Sequence, residues 1–315
     1  MGVYRIAVLG DSYIEALQVE LDQTFTAHLE RRLQDCGAFG GRRVEVLNFG
    51  VSSYGTAQQL LTLREHASRY APDLVIGAVF TGNDIRNNSR ELEPDKVRPF
   101  FVVEGDALVE DRSFAQSAEF QRRTNTLRAL LDRLRELRIV QGAYYIKDRL
   151  GEPVAATAGR QADAAAFEAG IDNAVYGEPK TPAWRDAWEV TDRLIAQLDR
   201  EVRALGARLV LVSLSSGIQV HPDATVRRQF EAADPARDVS YPDRRIEGSA
   251  ARVGAEAILL APELRKIAER DKVFFHGFPN TRMGTGHWNA AGHRAAADLV
   301  AARLCRQRNA AAAAS

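Results

Sequence analysis

The chain has 315 residues, 45% of them hydrophobic and 27% charged, enough apolar material for a sizeable buried core and too much for a disordered or fibrous polypeptide. Lys and Arg number 42, and Asp and Glu also 42, so no net field draws the protein to nucleic acid or to an anionic membrane surface. No apolar run approaches the ~18 residues that cross a bilayer, which argues against stable membrane insertion.

In chain order, a strand over Arg5–Leu9 starts almost at once. Nothing before it has the basic and apolar regions of a secretory leader, so the expected address is the cytoplasm, with a truncated leader as the alternative. Short apolar runs at Val44–Asn48, Leu74–Phe80, Arg208–Leu214 and Lys272–Phe275 read as further strands. Phe25–Leu33, Thr56–Tyr70 and Trp184–Leu205 read as helices between them. The last carries Trp184, Trp188, Thr191, Ile195, Leu198, Val202 and Leu205 at steps of four and three, a core-facing stripe that gives neither tryptophan a ligand role. Short apolar runs alternating with amphipathic ones predict an α/β protein whose parallel sheet is covered by helices on both faces.

Residues 100–182 break this rhythm. Phe101–Val103 and Ala107–Val109 flank Glu104-Gly105-Asp106 as a hairpin, and Asn125–Leu137 then has a helical pattern. The segment is expected to be an insertion or cap on a single domain spanning 1–315. Residues 151–182 and Val220–Ser249 read as long surface loops, and Ala310–Ser315 as a frayed helix end. Phe100, Phe101, Tyr144 and Tyr145 fit either the core or an acyl slot. Cys36 and Cys305 lie far apart in helical segments without metal-type spacing, and are expected to be free, small hydrophobes rather than a disulfide. No dinucleotide fingerprint, phosphate loop with Lys, or metal-ligand set occurs, so neither cofactor nor metal is expected.

Chemistry-bearing residues fall in four blocks. In Val8-Leu9-Gly10-Asp11-Ser12-Tyr13 a serine follows the end of an apolar strand, the sheet edge where open α/β folds bind ligands. Taken alone, this block is better explained by Asp11 or Ser12 capping a helix after the strand. Asn48-Phe49-Gly50-Val51-Ser52-Ser53-Tyr54-Gly55 is a loop able to present a backbone N–H. Thr81-Gly82-Asn83-Asp84 follows the third strand and offers an amide donor, or a turn residue bonding its own backbone. Gly286-His287-Trp288-Asn289 precedes the C-terminal helix and holds the best-placed of the six histidines. His28, His66, His221, His276 and His293 have no comparable context.

These blocks, in this order, resemble the SGNH hydrolases, also called the GDSL esterase/lipase family, over residues 4–85 and 206–307. The resemblance implies a flavodoxin-like three-layer α/β/α sandwich. It also implies that Ser12 attacks an acyl carbon, His287 takes its proton, and the N–H of Ser12, the N–H of Ser53 and the side chain of Asn83 form an oxyanion hole.

The chain departs from the family pattern in three respects. Ser53 and Thr81 stand where glycines are usual, and Gly284 and Thr285 stand where the family places an aspartate before its histidine. A backbone carbonyl of the Gly284–Thr285 segment is therefore expected to hold the imidazole in a Ser-His dyad, the alternative being a distant acid such as Asp84. Asp84 is otherwise expected to brace its loop, and Asp11 the helix start. The predicted activity is ester hydrolysis on a small-molecule or glycan ester. An O-acyltransferase on a carbohydrate and a catalytically weak binding module of the same fold are the alternatives. The sequence names no acyl chain, alcohol or oligomeric state.

Overall fold

The computed structural model describes residues 2–124, 167–168 and 170–314. Its centre is a parallel sheet of β1 (Val3–Gly10), β2 (Arg43–Gly50), β3 (Leu74–Val79), β6 (Arg208–Ser213) and β7 (Glu256–Leu259), in the order β2-β1-β3-β6-β7. This is the flavodoxin-like order, with its reversal beside β1. All six residues of β3 are buried, as expected of a central strand covered on both faces. A separate hairpin of β4 (Phe100–Glu104) and β5 (Ala107–Asp111) turns at Gly105 (φ +59°), as its sequence indicates.

One helical layer contains α2 (Phe25–Asp35), α9 (Leu260–Asp271) and α10 (Ala290–Ala314). The other contains α3 (Thr56–Glu65), α6 (Pro182–Ala204) and α8 (Tyr241–Val253). Two short helices, α4 (Asp84–Asn87) and α5 (Ala118–Thr124), lie in the connections after β3 and β5. The sandwich expected from the resemblance is therefore the observed fold. The Trp184 stripe of α6 is buried as far as Val202, whereas Leu205 lies just past the last turn and is 43% exposed.

Several expectations are corrected. Lys272–Phe275 forms no strand: Lys272 ends α9 in the left-handed region (φ +53°), and Phe275 is apolar because the following loop packs inward. The fifth strand is instead the short Glu256–Leu259, whose four residues run directly into α9. Val220–Ser249 is not a loop but largely α7 (Ala224–Ala232) and the first part of α8, its several Asp and Pro residues serving as caps and first-turn residues such as Asp223 and Pro242. In the helix expected over Thr56–Tyr70, α3 stops at Glu65 and a 3₁₀ turn covers Ala67–Tyr70. Phe100 and Phe101 belong to the core, whereas the helical reading of Asn125–Leu137 and the placing of Tyr144 and Tyr145 lie outside the described residues.

Cys36 and Cys305 are not free. They form a disulfide across 269 positions with their Cα atoms 6.3 Å apart, joining the end of α2 to α10. The two helices that carry them already pack together, aided by the Arg32–Asp298 ion pair, and this brings the sulfurs into range.

β1 and β2 run in register to Gly10 opposite Gly50, and the one-turn helix α1 (Ser12–Glu15) folds back over this pair. A Cβ on Gly50 would lie 2.4 Å from the backbone nitrogen of Glu15, and one on Gly10 2.4 Å from Ile14 Cγ1. The two glycines let α1 sit on the strand ends and so set the position of Ser12.

Candidate active site

Ser12 opens α1 at the carboxyl end of β1. Asp11 caps the turn, its Oδ1 accepting from the Tyr13 N–H at 2.9 Å, so its expected bracing role is met. Asp11 is fully buried with Oδ2 unpartnered among the described residues, and burial pushes its carboxyl up to about 7. The helix expected after Ser12 is a single turn that ends at Ala16 in the left-handed region (φ +58°), too short for a macrodipole to matter. Beyond Ala16 a loop carries Gln18 to the mouth of the site.

The Ser12 hydroxyl lies 2.8 Å from Nε2 of His287. Burial alone lowers the pKa of His287 below its ordinary value, so the ring is neutral near pH 7 and Nε2 is free to accept. The proton then sits on Nδ1, which has no hydrogen-bond partner among the described residues. The Gly284–Thr285 carbonyls do not hold the ring: Gly284 and Gly286 both take positive φ, and the Thr285 hydroxyl donates to the Arg282 carbonyl. Nor does Asp84, which is buried beside its own loop and accepts from the Phe80 N–H at 3.1 Å. Asp84 braces that loop, and burial raises its pKa well above the ordinary carboxylate value.

The backbone of the histidine loop is held instead. His276 and Trp288 form an isolated antiparallel bridge, and the Gly277 N–H donates to the His287 carbonyl at 3.0 Å. Asn289 donates from its side chain to the Phe274 and Gly277 carbonyls and accepts from the Gly292 N–H at the start of α10. The Gly286 carbonyl accepts from the Tyr13 hydroxyl at 3.0 Å and from His276 Nδ1 at 2.7 Å. Because a carbonyl only accepts, Nδ1 of His276 carries the proton, and its Nε2 accepts from the Ser215 hydroxyl, which in turn accepts from Trp288 Nε1. His276 is fully buried and its pKa is lowered to about 4, in keeping with a neutral structural ring.

Ser12, Ser53, Asn83 and His287 line one cavity of about 250 Å³, together with Ser52, Phe80 and Glu168. The side chain of Asn83 makes no hydrogen bond within the described residues, and its Oδ1 is buried without a partner, so it is not a turn residue bonding its own backbone. Ser53 adopts φ +68°, the left-handed region that glycine occupies without cost, which explains why glycine is usual there. Glu168 reaches the cavity from the end of the 100–182 segment. It is 5% exposed, with Oε1 accepting from the Gly286 N–H at 2.7 Å and Oε2 from the Gly217 N–H at 3.2 Å.

Solved esterases are similar to this chain. An acetyl xylan esterase named AlAXEase aligns at TM-score 0.48 and 10% identity over 95% of this chain and 99% of that one. An acetylxylan esterase from Geobacillus stearothermophilus aligns at 0.46 and 12% over 95% and 93%, and TesA at 0.45 and 15% over 94% and 95%. No protein-family model matches the chain, and no curated protein does.

The four blocks read from the sequence therefore meet at one sheet edge. Tyr13, His276 and Glu168 were not legible as site residues. Tyr13 lies inside the first block, but only its reach of 273 positions to the Gly286 carbonyl gives it a role. His276 follows Lys272–Phe275, which forms no strand, and has no motif of its own, and Glu168 sits in an Ala-rich stretch with no local pattern.

Proposed function

We propose that the protein is a serine ester hydrolase that works through an acyl-enzyme on Ser12. The observation that carries this reading is the 2.8 Å contact of Ser12 Oγ with His287 Nε2 inside a cavity that also holds an Asn83 side chain unpaired among the described residues. In acylation, the Oγ–H bond of Ser12 breaks as its proton passes to Nε2 and Oγ bonds to the acyl carbon. The carbonyl π pair moves onto oxygen, where the N–H of Ser12, the N–H of Ser53 and the Asn83 amide would donate. His287 then returns the proton to the leaving alcohol, and water repeats the sequence to free the acid. With no acceptor at Nδ1 among the described residues, the pair is read as a dyad.

The cavity's small volume and its Ser, Gln, Asn and Glu lining favour a short acyl group, such as acetyl, on a polar alcohol over a long lipid chain. A second cleft of about 390 Å³ shares Ser52 and Ser53 with it and offers room for the alcohol or for a sugar acceptor. That adjoining space also fits O-acyl transfer, in which a sugar hydroxyl replaces water. The disulfide favours an oxidising compartment over the cytoplasm.

The deciding experiment is hydrolysis of p-nitrophenyl esters from acetate to palmitate by wild type, Ser12→Ala and His287→Ala, with fluorophosphonate labelling alongside. Activity greatest on acetate and lost in both variants, with labelling lost in Ser12→Ala, supports the reading. No labelling of wild type leaves the binding module. Acyl transfer to added sugars that outpaces hydrolysis would replace esterase by transferase.

A further inference from the structure

The acid missing at Gly284 and Thr285 has a counterpart in space. Glu168 is almost fully buried, and each of its carboxylate oxygens accepts one backbone N–H, from Gly286 and from Gly217. The first of these peptides immediately precedes His287, and Glu168 lines the same small cavity as Ser12 and His287. Next to it, the Phe167 ring lies 4.9 Å beneath the guanidinium of Arg282, so two consecutive residues tie this segment to the histidine loop. A purely structural acceptor in this position would be served as well by an amide or a carbonyl. A carboxylate brings a charge into a buried site, which is costly unless something uses it.

Resting on the esterase reading above, we propose that Glu168 is a positioning residue that stands in for the absent triad acid. It holds the Gly286–His287 peptide against Ser12 and supplies the negative charge that offsets the imidazolium formed when Ser12 gives up its proton. In a low-dielectric cavity such compensation does not require direct contact with Nδ1. Among the described residues, the groups facing the carboxylate or sharing its cavity are the phenol of Tyr13 from α1, the phenol of Tyr176 from the 173–176 turn, and Arg282 and His287 from the histidine loop. The 215–219 turn contributes N–H groups and hydroxyls but no charge. Burial raises the Glu168 pKa to about 7, against the Gly286 and Gly217 N–H bonds and then Arg282, the one cation among these described groups, all of which favour the ionised carboxylate. Ionised Glu168 and neutral His287 would then be the active pair.

The test compares wild type, Glu168→Gln and Glu168→Asp by kcat and KM on p-nitrophenyl acetate and by the rate of Ser12 labelling with a fluorophosphonate, each against pH. Glu168→Gln is expected to lower kcat by about 10-fold or more with little change in KM, and to move the acid limb of both reactions to lower pH, because loss of the nearby charge makes the imidazolium harder to form. Glu168→Asp, which keeps the charge, should return the limb toward wild type. A fall in kcat with an unmoved limb, or a rise in KM alone, would overturn the proposal in favour of a scaffold or substrate contact. If Glu168→Gln does not fold, wild type decides: the acid limb must be steeper than one ionisation, and a limb of slope one counts against the proposal. If wild type reacts with neither ester nor fluorophosphonate, the esterase reading fails by itself. The imidazole titration of His287, followed by NMR in wild type and Glu168→Gln, still shows whether Glu168 raises its pKa.

Discussion

Tyr13 and His276 donate to a single acceptor, the carbonyl oxygen of Gly286, at 3.0 and 2.7 Å. Tyr13 follows the nucleophile and Gly286 precedes the base, so this pair of bonds sets the separation of Ser12 and His287. Among the described residues, their 2.8 Å contact is thus supported by the Tyr13 phenol and the Gly286 peptide, and no acid bonds the imidazole.

Tyr13→Phe removes one of the two donors and leaves the ring, which stacks 4.3 Å from Phe80 and 4.9 Å from His287. The fold should persist with a loss of about 1 kcal/mol, the net worth of one hydrogen bond. Ester turnover should drop several-fold with KM little changed. Denaturant melts and steady-state kinetics check both; unchanged kcat would remove Tyr13 from the positioning of His287.

At Ser53 the positive φ is a strain that glycine would not carry. Ser53→Gly should therefore raise stability by about 0.5–1 kcal/mol while sparing activity, since only the backbone N–H is assigned a role. Ser53→Val, with a β-branched side chain in the same conformation, should lose stability and activity together. Paired thermal melts and acetate-ester assays distinguish strain from a chemical role of the hydroxyl.

Asp11 links stability to pH. Its folded pKa of about 7 stands above the ordinary value of 3.8, so between these values the folded chain holds a proton that the unfolded chain has released. Its contribution is therefore full below about pH 4 and is lost as pH rises towards 7. Asp11→Asn cannot ionise, and the stability of this variant relative to wild type should be more favourable at pH 8 than at pH 5. A difference that does not vary with pH would mean that Asp11 is ionised throughout.

The Cys36–Cys305 bridge predicts that denatured, unreduced protein has no titratable thiol, since the chain has two cysteines in all. Reduction, or Cys36→Ser with Cys305→Ser, should cost about 2–4 kcal/mol, seen as a lower melting temperature. Two thiols in the unreduced protein would return both residues to the free, hydrophobic role that their spacing suggests.

The sequence by itself determined the layered α/β class, four of the five sheet strands, three blocks at their ends and the histidine block before the last helix. These depend on local pattern: apolar runs such as Leu74–Val79 declare burial on both faces, and a serine after Gly10 or an asparagine after Gly82 is placed by the strand before it. Glu256–Leu259 escaped because four residues merging into a helix have no period of their own, and Lys272–Phe275 misled because loop residues that pack inward are as apolar as a strand. Only the tertiary structure decided what surrounds His287. The Tyr13 phenol, the Glu168 carboxylate, the bonds of His276 and the Cys36–Cys305 bridge each join residues whose partners are set by how helices and loops pack over the sheet. Such contacts leave no mark on neighbouring residues, because their energy is gained only after the chain has closed over long separations.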